Sequence, residues 1–351
     1  MKLSFVHLAI VTASAWAFPT ASADSKALDV RADTSLVGYL GIFFLGNTPD
    51  VYFYLSNGNN AFSMKALNGG KPVLIPTLGT GGVRDPSIIS GGGSEAGKKW
   101  YIIGTDLNIG KTTWDASQRK GSLSIFVWES TDMVNWSNDR LVKVEGNDAG
   151  MVWAPDALWD ESKGQYLVHW ASKFYSASDT SHKSSPGPDQ IRYAYTSDFK
   201  TFTTPQTFIS AAPTSIIDLC ILPLPNNTYL RFLKNESASN VYMEVSTSGL
   251  LGTWSRPGGK NSYIRSGVEG PYAWLDNVTP GKVDLLLDYY GGDGYRGFTG
   301  SLNGSGDTEI GALSNGNWVE ADRKEWPTGL RHGSVVGVTG EKFDALKARW
   351  S

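Results

Sequence analysis

The chain has little of what several catalytic classes require. Among its 351 residues there is a single cysteine, Cys220, so no disulfide can form within it. Cys220 lies in the apolar run IIDLCIL, where a thiol packs as a small hydrophobe rather than acting as a nucleophile. There are only four histidines and none are paired at ligand spacing, which argues against a catalytic zinc site. A G-x-S-x-G elbow and a phosphate-binding P-loop are both missing. The formal net charge is only −3, which gives no case for nucleic acid or an anionic membrane as partner. Helical periodicity is scarce, and only the C-terminal KFDALKARW has a short helical look. Beyond the N-terminus no segment is apolar enough for a membrane helix.

What the chain does have is glycine and aromatics. It carries 40 Gly and 13 Trp, and aromatics make up 12% of its residues. Such a composition suits a turn-rich β fold, and also a surface that stacks on sugar rings. The start, MKLSFVHLAIVTASAWAFPTASADS, has the basic, apolar and small-residue regions of a secretory signal in the right order. A signal peptide over 1–23 and a mature domain over 24–351 are expected. Asn135, Asn226, Asn235, Asn277 and Asn303 each begin an Asn-x-Ser/Thr sequon, in keeping with a secreted glycoprotein. A monomer is expected.

Short β-branched and aromatic runs alternate with Gly, Asn, Asp and Pro. Within that pattern lies a repeat. ESTDMVNW, YTSDFKTF and VSTSGLLGTW each end a strand with a polar turn and an aromatic. Upstream stand short strands with an ionisable opener: Asp85 in RDPSII, Asp156 in APDALW, Asp218 in IIDLCI, Glu269 in VEGPYAW and His332 in RHGSVV. Their spacings are 71, 62, 51 and 63 residues. A second strand-like run follows each of the first four, as KWYIIGTDL, GQYLVHWAS, NTYLRFLK and KVDLLLDYY. Units of this size and content predict an all-β, five-bladed β-propeller. The fifth opener lies near the C-terminus, so its blade must take VGYLGIFFLG, DVYFYLS and FSMKALN from the N-terminal part. The last blade is then closed by strands from both ends of the chain, and no sheet edge is left open at the seam.

The innermost strand of a propeller blade lines the central channel. The five openers are therefore expected to converge at one end of the axis. Clustered carboxylates can differ in protonation at one pH, which is what glycosidic hydrolysis needs: an acid for the leaving oxygen and a base for water.

RDPSII, WAPDALW, SIIDLCILPLPNNTYL, EGPYAW and RHGSVV resemble, in order and spacing, the landmarks of glycoside hydrolase family 43. The resemblance covers essentially the whole mature chain. It implies a secreted, inverting, three-carboxylate glycosidase acting on furanosidic side chains or oligosaccharides, above all an α-L-arabinofuranosidase. β-Xylosidase, endo-arabinanase and galactofuranosidase activities stand as alternatives within the class, and a non-catalytic carbohydrate-binding propeller outside it. It matches Asp85 to the general base, Glu269 to the general acid and Asp218 to the aspartate that orients the acid. The family often has proline after that aspartate. Leu219 stands there instead, which leaves Asp156 as a competitor for the role. Trp153, Asp156, His332, Arg331 and Arg84 are expected to bind substrate. No cofactor is required, although the family allows a calcium in the channel near His332. Asn108 to Ser124, with Trp114 and Arg119, and the stretch 176–190 are expected to form rim loops.

Overall fold

The computed structural model describes residues 30–302 and 307–351. The signal-like segment 1–23 and the Asn303 sequon lie outside the described residues. Among the described residues the strands form five four-stranded antiparallel sheets, arranged as the blades of a propeller. Blade one runs Val83–Ser90, Trp100–Asp106, Ser124–Ser130 and Arg140–Lys143 from the inside outward. Blade two runs Trp153–Asp160, Gln165–Ser172, Gln190–Thr196 and Gln206–Ile209. Blade three runs Ile216–Leu224, Thr228–Asn235, Asn240–Ser246 and Arg265–Ser266. Blade four runs Glu269–Leu275, Lys282–Tyr289, Gly294–Ser301 and Val319–Glu320. Blade five takes its inner strand, Leu330–Thr339, from the C-terminal part and then Leu36–Leu45, Thr48–Asn57 and Asn60–Ala66. The closure expected from the two ends of the chain is the one observed.

Adjacent blades face each other across apolar clusters. One joins Leu40, Ile42 and Phe53 of blade five to Val83, Ile102 and Phe126 of blade one. Another joins Ile103, Val127 and Tyr101 to Val168, Trp170 and Phe199 across blades one and two. The remaining three interfaces are packed in the same way. Each fully buried aliphatic or aromatic side chain there contributes about 1.5–3 kcal/mol of transfer free energy, so a chain without internal disulfides has a sufficient core. The outermost strands of blades three and four are only two residues long, which leaves little edge to recruit another strand.

The polar turns found in the repeat lie between third and fourth strands. In blade one Ser130 Oγ accepts from the Asp132 and Met133 amides, and Asp132 accepts from those of Val134 and Asn135. In blade two Thr196 and Asp198 do the same for four amides. The helical look of the C-terminus is realised as Gly340–Trp350, whose Leu346 and Phe343 cover the blade five–blade one core. Two more helices, Trp114–Arg119 and Asp307–Ser314, lie in connections. Of the sequons, Asn277 is buried, with its amide nitrogen donating to Gly38 O and Asn59 Oδ1.

One irregularity recurs in all five inner strands. In each, two residues bulge opposite a single residue of the second strand: Asp85–Pro86, Ala154–Pro155, Asp218–Leu219, Gly270–Pro271 and His332–Gly333. A bulge bends the strand and re-aims its side chains. The first bulged residue has positive φ in four blades: 49° at Asp85, 47° at Ala154, 53° at Asp218 and 51° at Gly270.

Candidate active site

The bulges define equivalent positions around the axis. Immediately before the bulge stand Arg84, Trp153, Ile217, Glu269 and Arg331. First within it stand Asp85, Ala154, Asp218, Gly270 and His332. Just after it stand Ser87, Asp156, Cys220, Tyr272 and Ser334. Every residue of the first two groups except Ala154 and Gly270 lines a cavity of about 590 Å³ at one end of the channel. The third group lies outside its lining. The five ionisable openers are thus not equivalent to one another, contrary to expectation. Asp85, Asp218 and His332 share a position, Glu269 stands one residue before it and Asp156 two residues after it.

His332 sits between the two bulged aspartates. Its Nδ1 is 3.5 Å from Asp85 Oδ1 and 4.0 Å from Asp218 Oδ1. Burial pulls its imidazole down, but the Asp85 hydrogen bond and the charges of Asp218, Asp85 and Asp288 raise it to about 9. It is therefore an imidazolium at neutral pH. Burial would raise Asp85. The hydrogen bond and charge of His332, with Arg84 and Thr105, outweigh it, so Asp85 is held below the ordinary carboxylate value. Thr105 Oγ1 donates to Asp85 Oδ2 at 2.8 Å and accepts the Ala154 amide at 2.7 Å. Asp85 is thus a fixed, ionised carboxylate at the cavity floor.

Asp218 behaves differently. Burial pushes it up, and the charges of Glu269 and Asp85 add to this against His332, leaving it at about 7. Its Oδ2 accepts the Gly270 amide at 3.0 Å. Gly270 directly follows Glu269, so Asp218 anchors the turn that carries the glutamate. Glu269 itself is clamped by two cations: Lys234 Nζ is 3.0 Å from Oε2 and Arg331 is 3.1 Å from Oε1. Arg331 also bonds Asp288 through Nε at 2.8 Å, and Lys234 bonds Glu236 at 2.6 Å.

Asp156 does not join them. Ser87 Oγ donates to its Oδ1 at 2.5 Å, the Ala157 amide donates at 2.8 Å, and burial holds it at about 6. It belongs to the layer beneath the cavity, so its expected contact with substrate is corrected to a place in the channel wall. Of the rim residues, Trp114 lines the cavity, edge-on to Trp153 at 6.0 Å. Arg119 is turned away to Asp115 and the carbonyls of His182 and Ser184, and 176–190 lies outside the cavity lining.

The sequence reading missed Thr105, Lys234, Asp288, Glu236 and Tyr290. The first three stand at equivalent places, opposite Arg84, Glu269's neighbour strand residue Ile217, and Glu269 itself. Each is the polar residue near the end of a second run, and that shared place was a readable signal. Among the described residues no group of three or more His, Cys, Asp or Glu could hold a metal ion. The His332 ring stands beside both Asp85 and Asp218, at the place in the channel where the family allows a calcium.

The propeller thus gathers at its channel mouth two bulged aspartates, Asp85 and Asp218, and a glutamate clamped by two cations, Glu269, as the resemblance to family 43 led us to expect. The chain belongs to the family described as "Probable glycosyl hydrolase domain", whose model matches residues 34–344. It is 35% identical over 191 residues to an α-L-arabinofuranosidase of Bifidobacterium longum subsp. longum, a match covering 51% of this chain and 17% of that protein. The chain thus spans a small part of that relative's length. Among solved structures, an α-L-arabinanase of Penicillium chrysogenum complexed with arabinobiose matches at 14% identity over 84% of each chain, TM-score 0.44. An exo-β-1,3-galactanase of Phanerochaete chrysosporium matches at 13% identity over 71% of this chain and 52% of that one, TM-score 0.46.

Proposed function

We propose that the protein is a secreted, inverting exo-α-L-arabinofuranosidase. The observation that carries the reading is that Asp85, Asp218 and Glu269, from three different blades, line one cavity. In the reaction a water attacks the anomeric carbon as the bond to the leaving oxygen breaks. Asp85, ionised and fixed by Thr105, takes a proton from that water. Glu269, in its protonated form, gives that proton to the leaving oxygen, and Lys234 and Arg331 hold the carboxylate that results. Asp218 acts as a positioning residue, holding the Gly270 amide and so the turn beside Glu269. His332 keeps Asp85 in its charged form.

The sugar is proposed from the Bifidobacterium relative, which is an arabinofuranosidase over a shared segment. Location outside the cell rests on the signal-like order of residues 1–23. The test is a panel of aryl furanosides and pyranosides given to the wild type and to Glu269→Gln. An arabinofuranoside should be the best substrate, and the variant should lose cleavage of unactivated arabinosides while keeping its fold. Full activity in Glu269→Gln would remove the assignment.

A further inference from the structure

The cavity lining contains three cationic side chains, and two of them are already engaged. Arg331 is bound to Asp288 and Glu269, and His332 to Asp85. Arg84 is the third. It is 9% exposed, and among the described residues its guanidinium makes no hydrogen bond and no ion pair. It is held instead by aromatic faces, with Cζ 4.4 Å from the ring centre of Phe44 and 5.3 Å from that of Trp114. Phe44 is fully buried in blade five, whereas Trp114 is 51% exposed and lines the cavity. Ring faces stabilise the cation but use none of its N–H groups, which lie in its own plane. A buried cation with its donors unspent, on the wall of a cavity, is arranged for a ligand that brings oxygen acceptors.

We propose that Arg84 is the specificity-determining contact for the sugar, binding hydroxyl oxygens of a neutral saccharide through its planar fork. This rests on the glycosidase reading above and deepens it. Neutrality follows from the surroundings. Arg331 and His332 are already spent on Glu269, Asp288 and Asp85, so Arg84 alone would have to meet a substrate carboxylate in the cavity. A uronic acid would bring one more negative charge into it, and Asp85 follows Arg84 directly in the chain. Trp114 and Phe44 are positioning residues that keep the fork aimed.

The contact is tested by calorimetric titration of a non-hydrolysable arabinose furanoside, methyl thio-α-L-arabinofuranoside, into the wild type, Arg84→Met and Arg84→Lys, with D-glucuronate as the anionic comparison. Met keeps the stem between the two rings and removes the fork, and Lys keeps the charge. The wild type should bind the neutral sugar and prefer it to glucuronate. Met should weaken binding by about tenfold to a hundredfold, the size of one or two charge-assisted hydrogen bonds, and Lys should restore only part of that. Equal affinity in wild type and Arg84→Met overturns the proposal, as does tighter binding of glucuronate or no binding of the thiofuranoside by any form. A second readout separates recognition from charge tuning. In turnover of an aryl arabinofuranoside the Met variant should raise KM more than it lowers kcat. A shifted acid limb of kcat/KM with KM unchanged would reduce Arg84 to a charge partner of Asp85 and overturn the contact. Sugar binding without turnover of any arabinofuranoside would fault the functional reading and leave Arg84 as a sugar-binding residue.

Discussion

Asp85 and Asp218 occupy the same position in blades one and three. Each is the first residue of a bulge opposite one residue of the second strand, with φ of 49° and 53°. Non-glycine residues adopt this conformation at a cost of about 1–2 kcal/mol, and aspartate tolerates it better than most. Equivalent backbones put both carboxylates on the same imidazolium, yet their surroundings separate them. Asp85, with Thr105 and Arg84, is held low, whereas Asp218, near Glu269, stays at about 7. One repeated bulge therefore yields two carboxyl groups of different protonation.

Gly270 holds the matching place in blade four, and there a side chain cannot be accommodated. A Cβ would stand 2.7 Å from His332 Cγ, at φ +51°. Gly270→Ala should cost about 2 kcal/mol of stability from the left-handed backbone alone. It should also displace His332 and lower kcat. Denaturant titration alongside turnover checks this, and an alanine variant with unchanged stability and rate would contradict it.

Asp218→Asn keeps an oxygen for the Gly270 amide and removes the charge. The folded state should survive while kcat/KM falls by about a hundredfold, within the range of a lost acid–base contribution. The wild-type profile should contain a step near pH 7, where Asp218 titrates, and the variant should lose it. A profile unaltered by the substitution would separate Asp218 from the chemistry.

Stability should fall as pH rises across the neutral range. Asp156 and Asp218 keep protons to about 6 and about 7, above their ordinary 3.8, so at these sites the folded chain binds more protons than the unfolded one from about pH 4 upward, whereas buried His169, pushed down to about 3, opposes them below its ordinary 6.5. His332 acts in the same direction as the two aspartates. Its contribution is complete below its ordinary 6.5 and is lost as pH passes through about 9. Asp85, held low, contributes in the opposite sense, and that stability is lost only in acid. The midpoint of thermal unfolding should thus be higher near about pH 5 than near about pH 9. Asp156→Asn should flatten the slope between about pH 4 and 6. A midpoint that climbs from pH 5 to 9 would refute this.

Lys234 is buried against Glu269 and Glu236. Lys234→Met leaves both carboxylates without their shared cation, although Arg331 still holds Glu269. A loss on the order of 3 kcal/mol is expected, together with reduced activity. Equilibrium unfolding measures it, and a loss under about 0.5 kcal/mol would show that the clamp is immaterial.

The blades, their order and the closure of the ring were legible because hydrophobic runs and turns repeat along the chain. Asp85, Asp218, Glu269 and His332 were legible as ionisable residues at strand mouths. Their layering was not, because it depends on bulge register, and charge is a poor guide to register. Aligning the prolines Pro86, Pro155 and Pro271 instead would have moved Asp156 down and Glu269 up, each into its observed layer. Leu219 and Gly333 fill the same place without proline, so Leu219 does not weaken Asp218. Lys234 and Asp288 escaped notice because they belong to second strands, and reach the site only once those strands pair with the inner ones.

The central claim is that Asp85 and Glu269 act on opposite sides of one sugar in a single displacement. It is tested most directly by proton NMR of the first product formed from an aryl α-L-arabinofuranoside, read before mutarotation. β-Arabinofuranose appearing first is the predicted result. α-Arabinofuranose appearing first would mean double displacement through a covalent intermediate and would contradict the roles given to both residues.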